Sequence, residues 1–153
     1  KGRYEGNPKI TVLTPEEAAA QAPASLDLIV LHSVAQYLTA AELDAMMATF
    51  HRLLKPAGVF VLGDIVPPKL ASLWAALALL RFGAANGFFF AAVLGLMRIF
   101  VSDYLRLRKT HGLSHYEESA MLAKLKAAGF KAERAQHNIG HNQRRMTFLA
   151  RLG

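Results

Sequence analysis

Cysteine is absent from this 153-residue sequence, so no disulfide framework, thiolate metal site or cysteine nucleophile can be built from it. That absence fits a reducing compartment, and a cytoplasmic protein is the expectation. Acidic residues are also scarce, 11 against 18 lysines and arginines, for a net charge of +7. Such a balance suits a solvated basic surface or an anionic partner. Nucleic-acid binding asks for basic residues interleaved with aromatics on one face, an arrangement the chain does not contain, so no nucleic acid is expected. No apolar run reaches the ~20 residues of a membrane span. No charged-then-apolar leader precedes the first strand-like run, so no signal peptide is expected. A start at Lys1 rather than methionine suits a chain that has lost upstream sequence. No acid or cysteine stands at metal-ligand spacing from the histidines, and no metal is expected. What the chain does have is 53% hydrophobic residues, enough for the core of a single domain.

The apolar residues fall into an alternating strand and helix rhythm. Ile10 to Leu13 is a short β-branched run that reads as a strand. Thr14, Pro15 and Glu17 form a capping box with proline at the first helical position, opening a short alanine-rich helix that Pro23 stops. Leu26 to Leu31 is nearly all apolar, as in a parallel strand buried on both faces. A polar stretch from His32 to Tyr37 follows. A second capping box, Thr39 with Glu42, then opens a helix with Leu43, Met46, Met47, Phe50, Leu53 and Leu54 on one stripe. Lys55 to Gly58 ends that helix, and Val59 to Leu62 reads as the next buried strand, closing on Gly63 and Asp64. Two apolar strands joined by an amphipathic helix make a βαβ unit with a right-handed crossover. The expected class is therefore α/β with a mainly parallel sheet.

The rhythm breaks between residues 69 and 109. Leu70 to Leu80 and Phe88 to Met97 are apolar runs separated by Arg81, Gly83, Asn86 and Gly87. They are rich in leucine and alanine and poor in β-branched residues, which predicts two helices joined at Gly83 to Gly87. Lys69, Arg81, Arg98, Arg106, Arg108 and Lys109 flank them, a pattern that favours an anionic membrane surface over DNA. Beyond the segment, Ser114 and Glu117 form a third capping box, and Gly129 at the C′ position stops the helix it opens. Lys131 to His137 and Arg145 to Arg151 then predict a strand pair around the polar loop Asn138 to Arg144, with the alternation of a strand in the second.

The stretch from Leu26 through His32, Ser33 and Val34 to Tyr37 and Leu38 resembles the "FDLIV…S-V-x-x-Y-L" fourth-strand motif of class I (Rossmann-like) S-adenosylmethionine-dependent methyltransferases. Leu54 to Asp64 resembles their "L-K-P-G-G" turn and fifth strand, and Ala127 to Phe130 with two final strands looks like their ending. The resemblance leaves out the 69–109 segment and the first few residues. It implies a Rossmann-like sheet with an antiparallel last strand, 69–109 as an inserted helical lid, and S-adenosylmethionine as cofactor. It also marks the chain as the C-terminal part of the domain. The family's glycine-rich loop, and the earlier strand ending in the acid that holds the ribose, have no counterpart here. A missing N-terminal half of the domain is then the implied partner.

In open α/β sheets ligands sit beyond the carboxyl ends of the strands. The resemblance carries cofactor contacts to His32, Ser33 and Val34, and an adenine contact to Thr14, which stands where the family often has an aspartate. Asp64, Tyr104, Asn138, Asn142 and Arg144 are the candidate substrate-binding residues, with His137, Gln36 and Tyr116 nearby in the sequence pattern. A hydroxyl acceptor needs somewhere for its proton to go, and histidine suits that role. His141 is the first candidate for base, His32 the second and His115 the third. If the last strand is antiparallel, the 138–144 loop must share a sheet edge, and a concavity roofed by the 69–109 helices, with Ser33 and Asp64. The expected function is methyl transfer to a small apolar or lipid-like acceptor. The alternative is a non-catalytic Rossmann-like module that binds a partner or touches a membrane through 69–109. A dehydrogenase fragment is disfavoured by the antiparallel ending.

Overall fold

The structure is a computed structural model that describes residues 7–68, 72–101 and 114–153. Both N-terminal capping boxes form. The hydroxyl of Thr14 accepts from the Glu17 amide at 3.2 Å while the Glu17 carboxylate accepts from the Thr14 amide at 2.7 Å, and helix α1, Pro15–Ala19, starts there. Thr39 and Glu42 repeat the exchange at the start of α2, Ala40–Leu53. Between the two lie strand β1, Leu26–His32, and a single 3-10 turn at Ala35–Tyr37. Strand β2, Leu54–Ile65, follows α2 directly. It begins earlier than the expected Val59, because Leu54 already pairs with Leu26, and the extra residues are absorbed by a register shift before Leu28 meets Val59.

Among the described residues the sheet has four strands in the order β1-β2-β4-β3, where β3 is Phe130–Arg134 and β4 is Met146–Leu152. β1 and β2 are parallel, and β4 runs antiparallel to both β2 and β3. This is the expected α/β class with an antiparallel last strand. Ile10 to Leu13, in contrast, forms no strand. A strand exists through its ladder, and no described neighbour offers one, so Ile10, Val12 and Leu13 stay exposed.

The core lies on one face of the sheet. Leu43 and Met47 of α2, and Met121 and Leu125 of α5 (Glu118–Ala127), close over Phe60, Leu62, Phe148 and Ala150. Phe60 meets Phe50 edge-on at 5.2 Å and Phe130 at 5.6 Å between ring centres. β1 departs from the two-sided burial expected of it: Ile29 and Leu31 are buried, while Leu28 and Val30 are more than half exposed. Both packing helices sit on the first face, and on the second face the loop before β4 covers Thr147 but leaves Leu28 and Val30 of β1 open. The third capping box is also not made. The residue capping α5 is Glu117, without a side-chain bond, and the Ser114 hydroxyl donates instead to the Leu38 carbonyl at 2.7 Å, tying the chain before α5 to the segment after β1. Gly129 does occupy C′, at a φ of +88°, with the His51 ring against it where a Cβ would collide.

The predicted helical pair is present as α3, Ser72–Ala85, and α4, Phe89–Val101. The joint is narrower than expected: Gly83 lies inside α3, and Gly87, at a φ of +77°, makes the turn. Gly83 serves packing instead, since a Cβ there would stand 3.1 Å from that of Ala92, and Phe82 meets Phe88 edge-on. Among the described residues no helix is long and apolar enough to cross a membrane. Tyr104, with the rest of 102–113, lies outside the described residues.

Candidate functional site

At the carboxyl ends of the parallel pair, Ser33 and Asp64 both adopt positive φ, +58° and +67°. Non-glycine residues rarely do so, and such strain is kept only where surrounding contacts over-determine it. Here they do. The Ser33 hydroxyl donates to Asp64 Oδ2 at 2.6 Å, and Arg145 forms an ion pair with the same oxygen. Asn138 embraces the residue from the other side: its Nδ2 donates to Asp64 Oδ1, and its Oδ1 accepts from the Asp64 amide, each at 3.2 Å. Thr147 closes the circuit by donating to Asn138 Oδ1 at 2.7 Å. Burial alone pushes the Asp64 carboxyl up. The Ser33 hydrogen bond, the Arg145 charge and the Asn138 bond together outweigh it and hold the pKa below the usual aspartate value.

This cluster seats the loop between β3 and β4 on the strand ends. Gly140 comes so close that a Cβ would stand 3.0 Å from Asp64 Oδ1 and 3.2 Å from the His32 ring. Gln143 stiffens the loop from within, donating to the carbonyls of Asn138 and Gly140 and accepting from the Asn138 amide. The loop therefore lies on the same edge as Ser33 and Asp64, as an antiparallel last strand requires.

The concavity is not shared in the way the sequence suggested. An open cleft of about 590 Å³ lies between the loop and α3, lined by Leu77, Ala78, Arg81 and Phe82 on one side and residues 141–144 on the other. Neither Ser33 nor Asp64 lines it, because Asp64 is only 5% exposed and its carboxylate oxygens are already engaged within the cluster. The His141 ring lies against Phe82, 5.7 Å between centres.

The candidate residues therefore separate into groups. His32, Ser33, Asp64 and Asn138 meet at the strand ends. His141, Asn142 and Arg144 line the cleft under α3. Val34 is exposed at the entry to the 3-10 turn, Thr14 is occupied in capping α1, and His115 and His137 are exposed outside the cleft's lining. Sequence reasoning missed Arg145, Thr147, Gln143 and Arg81. Thr147 carried a faint signal, a hydroxyl inside an apolar strand. A second cavity of about 520 Å³, around Leu122, Gly129 and Lys131, lies at the opposite edge of the sheet. Among the described residues no group of histidines and acids could hold a metal.

No protein-family model matches the sequence, and a search of curated proteins finds no similar one. Solved structures do share the fold. Human N-acetylserotonin methyltransferase, solved with S-adenosylmethionine, superposes with a TM-score of 0.53 at 12% identity, over 89% of this chain and 32% of that one. A protein of Bordetella parapertussis described as a possible exported protein gives 0.54 at 20% identity, over 88% and 42%. A pericyclic-reaction enzyme gives 0.52 at 11% identity, over 87% and 28%. The chain thus spans less than half the length of each. The fold is that of the class I S-adenosylmethionine-dependent methyltransferases, and the last of the three neighbours carries a different chemistry on it.

Proposed function

We propose that this chain, with its class I methyltransferase fold, forms the acceptor side of an S-adenosylmethionine-dependent methyltransferase acting on a small apolar acceptor. The observation that carries the reading is the seating of the β3–β4 loop. Its buried residues lock onto the carboxyl ends of β1 and β2, and its outward residues face α3 across a cleft of small-molecule size. In the resembling family the backbone after the fourth strand lies along the methionine end of the cofactor, here His32 to Val34. The cleft adjoins that edge, so an acceptor held there is poised for alignment, the main contribution such catalysis needs. His141 is the residue to receive an acceptor proton, with His32 the second choice. S-adenosylmethionine would supply the methyl group when bound, with the backbone of Ser33 and Val34 along its methionine end.

Two measurements test this. The chain by itself should bind S-adenosylmethionine weakly or not at all, since its sequence holds no glycine-rich loop to approach the cofactor; micromolar affinity by titration calorimetry contradicts that. Expressed with its full coding sequence and given methyl-labelled S-adenosylmethionine, the protein should label apolar hydroxyl acceptors. His141→Ala should then slow turnover by about a hundredfold without changing cofactor affinity. Absence of transfer across a broad acceptor panel removes the reading.

One observation favours a second use of the helical pair. Phe90, Leu94 and Met97 follow one another along α4 at helical spacing and are all more than half exposed, next to Arg98. An exposed apolar stripe with a basic flank suits peripheral contact with an anionic membrane. Flotation with anionic vesicles, lost in Phe90→Ser, distinguishes this from a lid that only covers substrate.

A further inference from the structure

The cleft under α3 has a chemical bias that the methyltransferase fold does not dictate. Among the described residues its polar lining is Arg81, Arg144, His141, Asn142 and Gln143, with no carboxylate. Arg81 meets no acidic side chain among the described residues, where the four ion pairs use Lys55, Lys124, Arg134 and Arg145. The same cleft holds a donor that is unmet among the described residues. Asn142 is 1% exposed, its Oδ1 accepts from the Arg144 amide at 3.1 Å, and its Nδ2 has no partner. Leaving a buried amide donor unpaired is costly, and a cleft that joins such a donor to Arg81 selects for an oxygen anion. The rest of the wall is apolar and partly aromatic: Leu77, Ala78 and Phe82 lie along α3, and the His141 ring lies against Phe82.

We infer that the cleft binds a small, flat, apolar molecule bearing a carboxylate, its ring on Phe82 and His141 and its anionic oxygens between Arg81 and Asn142. That this ligand is also the methyl acceptor rests on the function proposed above; the binding itself does not.

The test is calorimetric titration of the full chain with 2-naphthoate and with its neutral counterpart, 2-naphthamide, at low and high salt. Naphthoate should bind more tightly, and added salt should weaken it alone. Arg81→Gln should weaken naphthoate about fivefold, the upper range for a solvent-exposed ion pair, and leave naphthamide unchanged. Arg81 is exposed, so this variant is expected to fold. Lys131→Gln, which removes one charge beside the cavity at the opposite edge, should change neither affinity. Equal binding of acid and amide, no binding of either, naphthoate affinity unaltered by Arg81→Gln, or an equal loss in Lys131→Gln overturns the inference. The two proposals fail separately. Arg81-dependent naphthoate binding in a protein that transfers no methyl group leaves the anion cleft standing and removes the methyltransferase. Methyl transfer without such binding does the reverse.

Discussion

The two halves of the β3–β4 loop make opposite use of polar residues. Asn138 and Arg145, at its ends, turn inward and join Ser33, Asp64 and Thr147 in a buried network in which the Asp64 carboxylate and the Asn138 amide are fully engaged. His141 and Arg144, near its tip, turn outward to a cleft in which, among the described residues, Arg81 meets no acidic side chain and the buried Asn142 amide nitrogen finds no partner. The first region holds the backbone of two strand ends in a strained conformation; the second leaves donors unspent. In a stretch of eight residues with similar composition, scaffold and ligand-facing groups are thus distinguished by what they already touch.

If that division is right, variants of the inner set should damage stability and variants of the outer set should not. The largest effect is expected for Asp64→Ala, which strands Arg145, Ser33 and Asn138 around a missing carboxylate. Breaking a buried pair from one side costs about 3–5 kcal/mol, readable in urea unfolding, and a loss below about 1 kcal/mol would erase the contrast. Gly140→Ala should cost about 1–2 kcal/mol by overpacking, because the added carbon meets Asn138 Nδ2 and Asp64 Oδ1 at 3.0 Å, both held by other bonds; a neutral outcome would mean the loop can lift from the strand ends.

Acid sharpens the same comparison. The pKa of Asp64 is lowered in the folded protein, against about 3.9 when unfolded. Its contribution is therefore complete above the unfolded value and is lost as pH falls through the folded one. The stability gap between the parent protein and Asp64→Asn should be constant from neutral pH down to about 5 and shrink below about 4. A gap independent of pH would show that the ionised form is not what the network holds. The smallest effects belong to the cleft: His141→Ala and Arg81→Gln should each leave unfolding free energy within about 0.5 kcal/mol of the parent. A larger loss from either would make the cleft wall part of the scaffold.

Much of the fold was legible because its signals are local. Thr14 with Glu17 and Thr39 with Glu42 name helix starts within four residues, and the leucine- and alanine-rich runs of α3 and α4 favour helix whatever surrounds them. Signals that needed a partner misled. Ile10 to Leu13 has strand chemistry and no ladder, Ser114 has cap chemistry and found the Leu38 carbonyl instead, and the apolar run of β1 promised burial on two faces where one is covered. For the site, sequence singled out most of the polar residues at the strand ends and loop. It could not sort them, since Asp64 and His141 look equally available when written in a line.

The sequence by itself determined the order of elements, the antiparallel ending that the strand–loop–strand tail implies, and the identity of the polar loop, all from periodicity and capping within short windows. Tertiary structure alone decided that Arg145 neutralises Asp64, that Gly140 presses the loop onto His32, and that Arg81 of α3 faces residues some sixty positions later across a cleft. The reason is physical: a side chain's protonation, satisfaction and exposure depend on groups brought near it by folding, and the chain's order carries no distance between them.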